Sequence, residues 1–522
     1  MEVAILKYNR YEKGILKTYF FVKENVKDPR KEGNLDFLQI QGIKTIISFD
    51  FLSLISDIKD IHQYTFIDIE QQLKQILGLP KEYFEKTKKH WSFWYQLKNY
   101  VDDRKKIKEY RKIFENLTDN IKEDEVDKAM FLLVESIYKI YVKNKRDLQN
   151  NNELERFEKI EKSLNTILFE RTQKGITINT ELLKTYLKQI IIDLYEVRNK
   201  LQLEFGIFSS KDYSKIKAKI LELGFSNNID KIDKIGTEKY YNFLKYHQQE
   251  YELIGLLYKE RRLNDSKSVL TRIGSLEENR VYPFFEYFGT VTSRILVKNP
   301  SFQQLKREYR KIITPDIGKE LIYIDYCQFE AGILADIMQD EELIKMYISG
   351  DIYSEMEKLL PEFTRDKCKS LFFLYSYGAS KDQIQKKYTS TDLEVFFGNF
   401  TKFQPFREEL EKEFIEKKMI STLLGNHRYI TPETELEENI SWLVSQKIQG
   451  TASLILKKSI KEIYDLDKEI EFLLPMHDAI LYQVPSSETE QKKKLIKRVF
   501  EEKLKEVCPS LVPKISFKNF TE

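Results

Sequence analysis

The chain has 522 residues, too many for one hydrophobic core, and should divide into about three or four domains. Hydrophobic residues make up 41% and charged residues 32%, enough apolar material for packed domains, which excludes wholesale disorder. The 86 Lys and Arg against 83 Asp and Glu leave a net charge of only +3, so any surface for a polyanion must be local. Cys327, Cys368 and Cys508 match no zinc spacing and are odd in number for a disulfide framework, which fits a reduced, cytoplasmic setting. No run of about 18 apolar residues occurs, and the apolar run in MEVAILKYNRYEKG is short, so neither a signal peptide nor a membrane span is expected.

Residues 1 to about 80 carry short β-branched runs such as TIISFDF (45–51) and TFIDIE (65–70), read as strands alternating with helices. From about Asp103 to Leu203 the pattern is helical and charge-laced, as expected of long solvated helices. In ELERFEKIEKSLNTILFERTQKGITIN (153–179), a helix should end near Gly175, whose missing Cβ suits a C-cap, before an extended GITIN. A domain boundary is expected near residue 150. No repeat of 20 to 50 residues is present.

Three later segments carry chemistry. LIYIDYCQFEAGILADI (321–337) reads as a strand with Asp325 at its end and a helix beyond it. Such an Asp can hold a metal or merely cap the following helix. In RDKCKSLFFLYSYGAS (365–380), Arg365, Lys369, Phe373 and Tyr377 recur at i, i+4 and form one stripe of a helix. Two cations followed by two rings suit a nucleoside triphosphate, whereas an aromatic stripe by itself also describes a core helix. EFLLPMHDAILYQVP (471–485) reads as a hairpin with His477 and Asp478 at its turn. If its second strand pairs with the one ending at Asp325, two carboxylates converge and call for a cation such as Mg²⁺; otherwise His477 and Asp478 are a structural pair.

In order and spacing these segments resemble the polymerase motifs of the DNA polymerase A family, that of bacterial DNA polymerase I and many phage replicases. GTVTSRILVKNPSFQQLKR (289–307) is similar to the family's T-x-T-G-R-(L/I)-S-S-x-x-P-N-(L/F)-Q-N segment. DYCQFE resembles D-Y-S-Q-I-E, and DEELIKMYISGDIY (340–353) the sequence that follows it. RDKCKSLFFLYSYG satisfies R-x3-K-x3-F-x3-Y-G at every defined position, and STLLGNHRYI (421–430) looks like T-L-x-G-R-R-R-Y-L. QGTA (449–452) is identical to the family's, and MHDA resembles V-H-D-E. The likeness runs from about residue 154 to 495.

The resemblance implies an α+β, multidomain right hand of thumb, palm and fingers. It implies an N-terminal α/β domain like a degenerate 3′-5′ exonuclease, RNase H-like in fold, over 1–150. The thumb and connecting helices would span 151–288, the palm 289–360 and 421–522, and the fingers 361–420. The implied activity is DNA-directed DNA synthesis in replication or repair: deoxynucleoside triphosphates are added to a primer 3′-hydroxyl and pyrophosphate leaves, without proofreading. Asp325, Asp478 and the carbonyl of Tyr326 would hold two Mg²⁺ ions, and Lys369 would neutralise phosphates and give a proton to the leaving group. Arg365, Phe373, Tyr377, Glu330, Gln328 and His477 would meet the nucleotide, with Glu330 crowding the 2′ position. Arg294, Gln303, Gln304, Gln449 and Tyr377 would contact primer-template DNA. A monomer is expected, and the sequence names no helicase, primase or clamp.

Several family positions differ. Ala479 stands where an acid usually follows His-Asp, Gly332 where an Arg follows the Glu, Leu374 where a Gly follows the Phe, and Ser441 and Ser445 where Arg and Asn are usual. Near the N-terminus no Asp-x-Glu precedes Asp68-Ile69-Glu70, and ISFDF around Asp50 looks like the exonuclease's middle motif, so its first carboxylates are missing. Two other readings remain open: a catalytically silent nucleic-acid-binding protein, favoured by Ala479, and a single-subunit RNA polymerase, disfavoured by Glu330.

Overall fold

The computed structural model describes residues 1–12, 15–25, 27–78, 90–118, 121–209, 211–225, 237–275, 278–429 and 440–521. The chain forms two compact units: Met1–Lys174 with Phe284–Lys298 and Ile317–Asn519, and Gly175–Pro283 with Asn299–Asp316 and Phe520–Glu522. No helix among the described residues is long and apolar enough to cross a membrane.

The first unit begins with a five-stranded sheet of β1 (Glu2–Glu12), β2 (Ile15–Lys23), β3 (Arg30–Glu32), β4 (Thr45–Ser48) and β5 (Thr65–Asp68), in the order β3-β2-β1-β4-β5. Strands β1 to β3 are antiparallel, whereas β4 and β5 run parallel to β1. TIIS and TFID form strands as expected, but the longest pair, β1 with β2, was not legible because Lys7, Asn9 and Arg10 interrupt its apolar pattern. Helix α1 (Ile69–Leu77) follows β5, with the Asp68 carboxylate accepting from the amides of Glu70 and Gln71 as its N-cap. Helix α2 (Glu123–Asn150) buries Met130, Leu133, Val134 and Ile137 on one face.

Helix α3 (Lys162–Lys174) covers the open edge at β5. Asn165 donates to the carbonyl of Phe66 (3.1 Å) and Thr166 to that of Tyr64 (2.8 Å), so buried main-chain acceptors are satisfied by side chains. Phe169 enters the same core as Val3, Ile5, Ile46 and Phe66. The helix stops at Gly175, at φ +67, as its sequence predicts, and β6 (Ile176–Thr177) begins.

In the second unit, β6 pairs with β7 (Arg280–Val281). Helices α4 (Thr180–Phe205) and α5 (Glu252–Ile273) pack together, and Arg198 reaches the buried Glu260 at 2.8 Å. A short 3₁₀ turn, Phe302–Gln304, holds Gln303 and Gln304.

The remainder of the first unit is built on a four-stranded antiparallel sheet. After the hairpin of β8 (Phe284–Glu286) and β9 (Leu296–Lys298), its central strand β10 (Lys319–Tyr326) leads into helix α6 (Phe329–Met338) and onward to α7 (Arg365–Ser376). The pair β11 (Met419–Ser421) and β12 (His427–Tyr429) precedes the long helix α8 (Ile440–Leu466). Strands β13 (Glu471–Met476) and β14 (Ala479–Pro485), helix α9 (Thr489–Val507) and β15 (Ile515–Lys518) complete it, in the sheet order β13-β14-β10-β15. Alternation along β10 turns Ile322, Ile324 and Tyr326 into the core and puts Asp325 on the other face. Tyr326 is locked there: its ring stacks on Phe329 and Phe500, and its hydroxyl donates to the Phe500 carbonyl at 2.9 Å.

Gly332 in α6 is fixed by space rather than by backbone conformation. A Cβ there would lie 2.8 Å from a ring carbon of Tyr347, which is only 1% exposed, and 3.2 Å from Leu511. Alanine gains about 1 kcal/mol in helix propensity, but overpacking a closed core costs about 1–3 kcal/mol. Gly332→Ala is therefore expected to destabilise the chain by up to about 2 kcal/mol in urea unfolding, with a lowered midpoint.

A candidate nucleotidyl-transfer site

Pairing of β10 with β14 decides where the acids meet. Asp325 stands opposite Ala479, so Asp478, the next residue back, lies beside it at the mouth of the β13–β14 hairpin. His477 and Asp478 make the two-residue turn, with His477 at φ +59 and its side chain exposed. The amide of Tyr326 donates to the Asp478 carbonyl at 3.4 Å. Asp325 does not cap α6, whose N-cap is Gln328. Burial pushes the Asp478 carboxyl up to about 6; Glu330 and Asp325 add to this, and Arg294 opposes it. The ammonium of Lys518, reached across the β10–β15 pairing, contacts the Asp325 carboxylate.

The cation-aromatic stripe lies on α7 and its C-cap. Its four residues are not the core face: Cys368, Leu371, Phe372 and Tyr375 are buried, whereas Arg365 and Lys369 are exposed and Phe373 and Tyr377 half-buried. Both ends of the helix are tied to the segment that follows Asp325. At the N-terminal end Arg365 reaches Asp351 at 2.7 Å, and Gln328 donates to the same carboxylate oxygen at 2.9 Å. Burial alone raises the Asp351 pKa, yet hydrogen bonds from Arg365 and the Ser354 amide outweigh it and hold the carboxyl below its usual range. At the C-terminal end the Tyr377 hydroxyl donates to Glu330 at 2.6 Å. Arg294 pairs with the other oxygen of Glu330 at 3.0 Å, and Gln449 donates to the Tyr377 hydroxyl at 3.2 Å. Lys369 has no carboxylate partner among the described residues; its ammonium lies 5.8 Å from the Tyr353 ring.

Gly378 lets the chain leave this helix close to α8. It sits at φ +106, and a Cβ would come within 2.3 Å of Ile440.

The sequence profile of DNA polymerase family A matches residues 173–515, well over half of the chain. The chain belongs to DNA polymerase family A. DNA polymerase I of Caldicellulosiruptor bescii is 26% identical over 386 residues, covering 66% of this chain and 45% of that protein. The Bacillus subtilis DNA polymerase I is 24% identical over 406 residues, covering 69% of this chain and 45% of the relative. The chain thus spans about half the length of the curated relatives it matches. Among solved structures, the POL domain of Pol1 from M. smegmatis, in complex with DNA primer-template and dNTP, superposes with a TM-score of 0.76 at 14% identity. That likeness covers 99% of this chain and 95% of the other. The fold is accordingly that of a family A polymerase domain, mixed in helix and sheet.

In this family A chain, Asp325, Asp478, Glu330, Gln328, Arg294, Gln449 and Tyr377 are joined with α7 in one neighbourhood of the first unit. Gln303 and Gln304 belong to the second unit. Sequence reasoning missed Asp351 and Lys518. Asp351 reads as an ordinary N-cap, which it also is, accepting from the Ser354 amide at 2.9 Å. Lys518 sits in a short strand with no motif around it.

Among the described residues no group of three or more His, Cys, Asp and Glu side chains is arranged to hold a metal. The donors on hand are the Asp325 and Asp478 carboxylates and the Tyr326 main-chain carbonyl, since the Tyr326 hydroxyl is already engaged. Hard oxygen donors and two crowded negative charges fit a Mg²⁺ ion. A divalent cation offered to the chain should therefore bind more weakly as pH falls through about 6, because protonated Asp478 is lost as a donor. Calorimetric titration with Mg²⁺ at about pH 5 and about pH 7.5 should show the fall, and Asp478→Asn should flatten it.

Proposed function

We propose that this chain carries out template-directed DNA synthesis, adding deoxynucleoside triphosphates to a primer 3′-hydroxyl and releasing pyrophosphate. The observation that carries this reading is the double tie between the segment that follows the acid-bearing strand and the striped helix: Glu330 to Tyr377 at one end, Gln328 and Arg365 through Asp351 at the other. That arrangement sets two cations and two rings along one nucleotide-sized face beside two carboxylates, where acids and phosphate-binding groups must meet for phosphoryl transfer.

Asp325, Asp478 and the Tyr326 carbonyl would hold two Mg²⁺ ions. Bound there, the ions would supply Lewis acidity at the primer hydroxyl and charge neutralisation at the departing pyrophosphate. Lys369, with no carboxylate partner among the described residues, would bind the triphosphate and give a proton to the leaving oxygen. Arg365 and His477 would assist with phosphates, and Phe373 would lie against the sugar. Tyr377 would mark the templating position, and Arg294, Gln449, Gln303 and Gln304 would hold primer-template. Glu330, kept in place by Arg294 and Tyr377, would crowd a 2′-hydroxyl and select deoxynucleotides.

On the same reading, unit two is the main part of the thumb, the four-stranded sheet the palm floor and α7 part of the fingers. The order β3-β2-β1-β4-β5, with β4 and β5 parallel to β1, supports an RNase H-like N-terminal domain. Its first strand, EVAILKYNRYE, has no Asp-x-Glu, and Asp68 is occupied as a helix cap, which supports loss of proofreading. One observation favours a silent DNA-binding protein instead, namely the ammonium of Lys518 on Asp325.

Primer extension on the full chain decides between these. Wild-type protein with Mg²⁺ should lengthen a labelled primer with dNTPs and, without dNTPs, should not shorten it. Asp325→Asn and Asp478→Asn should each reduce extension by at least about a thousandfold while primer-template Kd changes little. Extension by either variant at the wild-type rate would remove the site assignment, and none by the wild type would favour the silent reading. Glu330→Ala should raise ribonucleotide incorporation by about tenfold or more relative to dNTP, as single-turnover assays with separate pools would show.

A further inference from the structure

Helix α8 presents three polar side chains at four-residue spacing, Gln449, Ser453 and Lys457, and all three lead toward the catalytic face. Gln449 meets the Tyr377 hydroxyl. Ser453 donates to the Ser293 carbonyl at 2.6 Å, and Lys457 donates to the Ser293 hydroxyl at 2.5 Å. Lys457 is 0% exposed. Its only ion-pair partner among the described residues is Glu161, at 3.8 Å, itself fully buried and held by Arg156. An ammonium withdrawn from water in this way is costly unless its contacts repay it.

What the contacts hold is the turn that presents Arg294. Ser293 lies at φ +61, a region that costs a residue with a Cβ about 1–2 kcal/mol. The turn is closed by the Ser293 amide on the Thr290 carbonyl (2.9 Å), the Arg294 amide on the Thr290 hydroxyl (3.1 Å) and the Gly289 amide on the Arg294 carbonyl (2.9 Å). Beyond it Arg294 reaches Glu330. Two of the side-chain bonds that keep Ser293 in its left-handed conformation therefore come from α8.

We propose that Lys457 is a positioning residue for Arg294, fastening the 289–294 turn to α8 so that the guanidinium meets Glu330 and, on the polymerase reading above, the primer-template. Lys457 touches no substrate in this scheme. It acts through Ser293.

The test uses the full chain with Lys457→Met, and with Ser293→Ala, which removes the hydroxyl and leaves the buried Lys457–Glu161–Arg156 cluster intact should the first variant fold poorly. In the free protein, hydrogen–deuterium exchange should quicken at residues 290–294 and stay unchanged in β13 and β14. For a labelled primer-template without dNTP, each variant should raise Kd about tenfold, and in an Arg294→Ala background the further loss should shrink below about twofold. Unchanged exchange in the turn with both variants, or equal losses with and without Arg294, would overturn the proposal. If wild-type protein bound no primer-template, the polymerase reading would fall, and the exchange measurement would still decide whether Lys457 holds the turn.

Discussion

Two like charges forced together at one end of a sheet are the constraint around which the rest of the first unit is arranged. The pairing of β10 with β14 puts Asp325 and Asp478 side by side, and Glu330 adds a third acid nearby. Burial lifts the Asp478 carboxyl to about 6, and repulsion from Glu330 and Asp325 adds to the rise. The surrounding cations answer this: Lys518 touches Asp325, and Arg294 holds Glu330. A site so built is costly for the folded chain, and its carboxylate oxygens fit a hard cation.

That constraint extends into α7 through two bridges of different strength. The hydroxyl of Tyr377 on Glu330 is short and charge-assisted, worth about 1.5–3 kcal/mol where it is half-buried. Arg365 on Asp351 is more exposed, and such pairs contribute about 0–1 kcal/mol. The helix is thus anchored more firmly at its ring end than at its cation end. Releasing Arg365 from Asp351 therefore costs little, whereas moving Tyr377 means breaking a network that also contains Arg294 and Gln449.

The N-terminal sheet serves this arrangement structurally whatever its own chemistry. Its edge strand is closed by side chains of α3, and Lys74 on α1 pairs with Glu286 on β8, close in sequence to the turn that carries Arg294. The Gly78 carbonyl accepts from the Tyr429 amide, binding the same domain to β12. Residues 1–174 therefore belong to the same compact unit as the four-stranded sheet.

Local patterns determined the pieces of the site. The β13–β14 hairpin with His477 and Asp478 at its turn, the strand carrying Asp325, the α7 stripe and the stop at Gly175 were all legible, because each rests on periodicity or turn chemistry within about 15 residues. Tertiary structure alone decided which strand lay beside which, and with that the meeting of Asp325 with Asp478, of Lys518 with Asp325 and of Lys457 with Ser293. Those contacts join residues far apart in the chain, chosen by register and by which face of a strand or helix is left toward the core. A charged residue such as Lys457 or Lys518 reads in sequence as one more solvated lysine, and its burial or its partner is settled only when distant segments close around it.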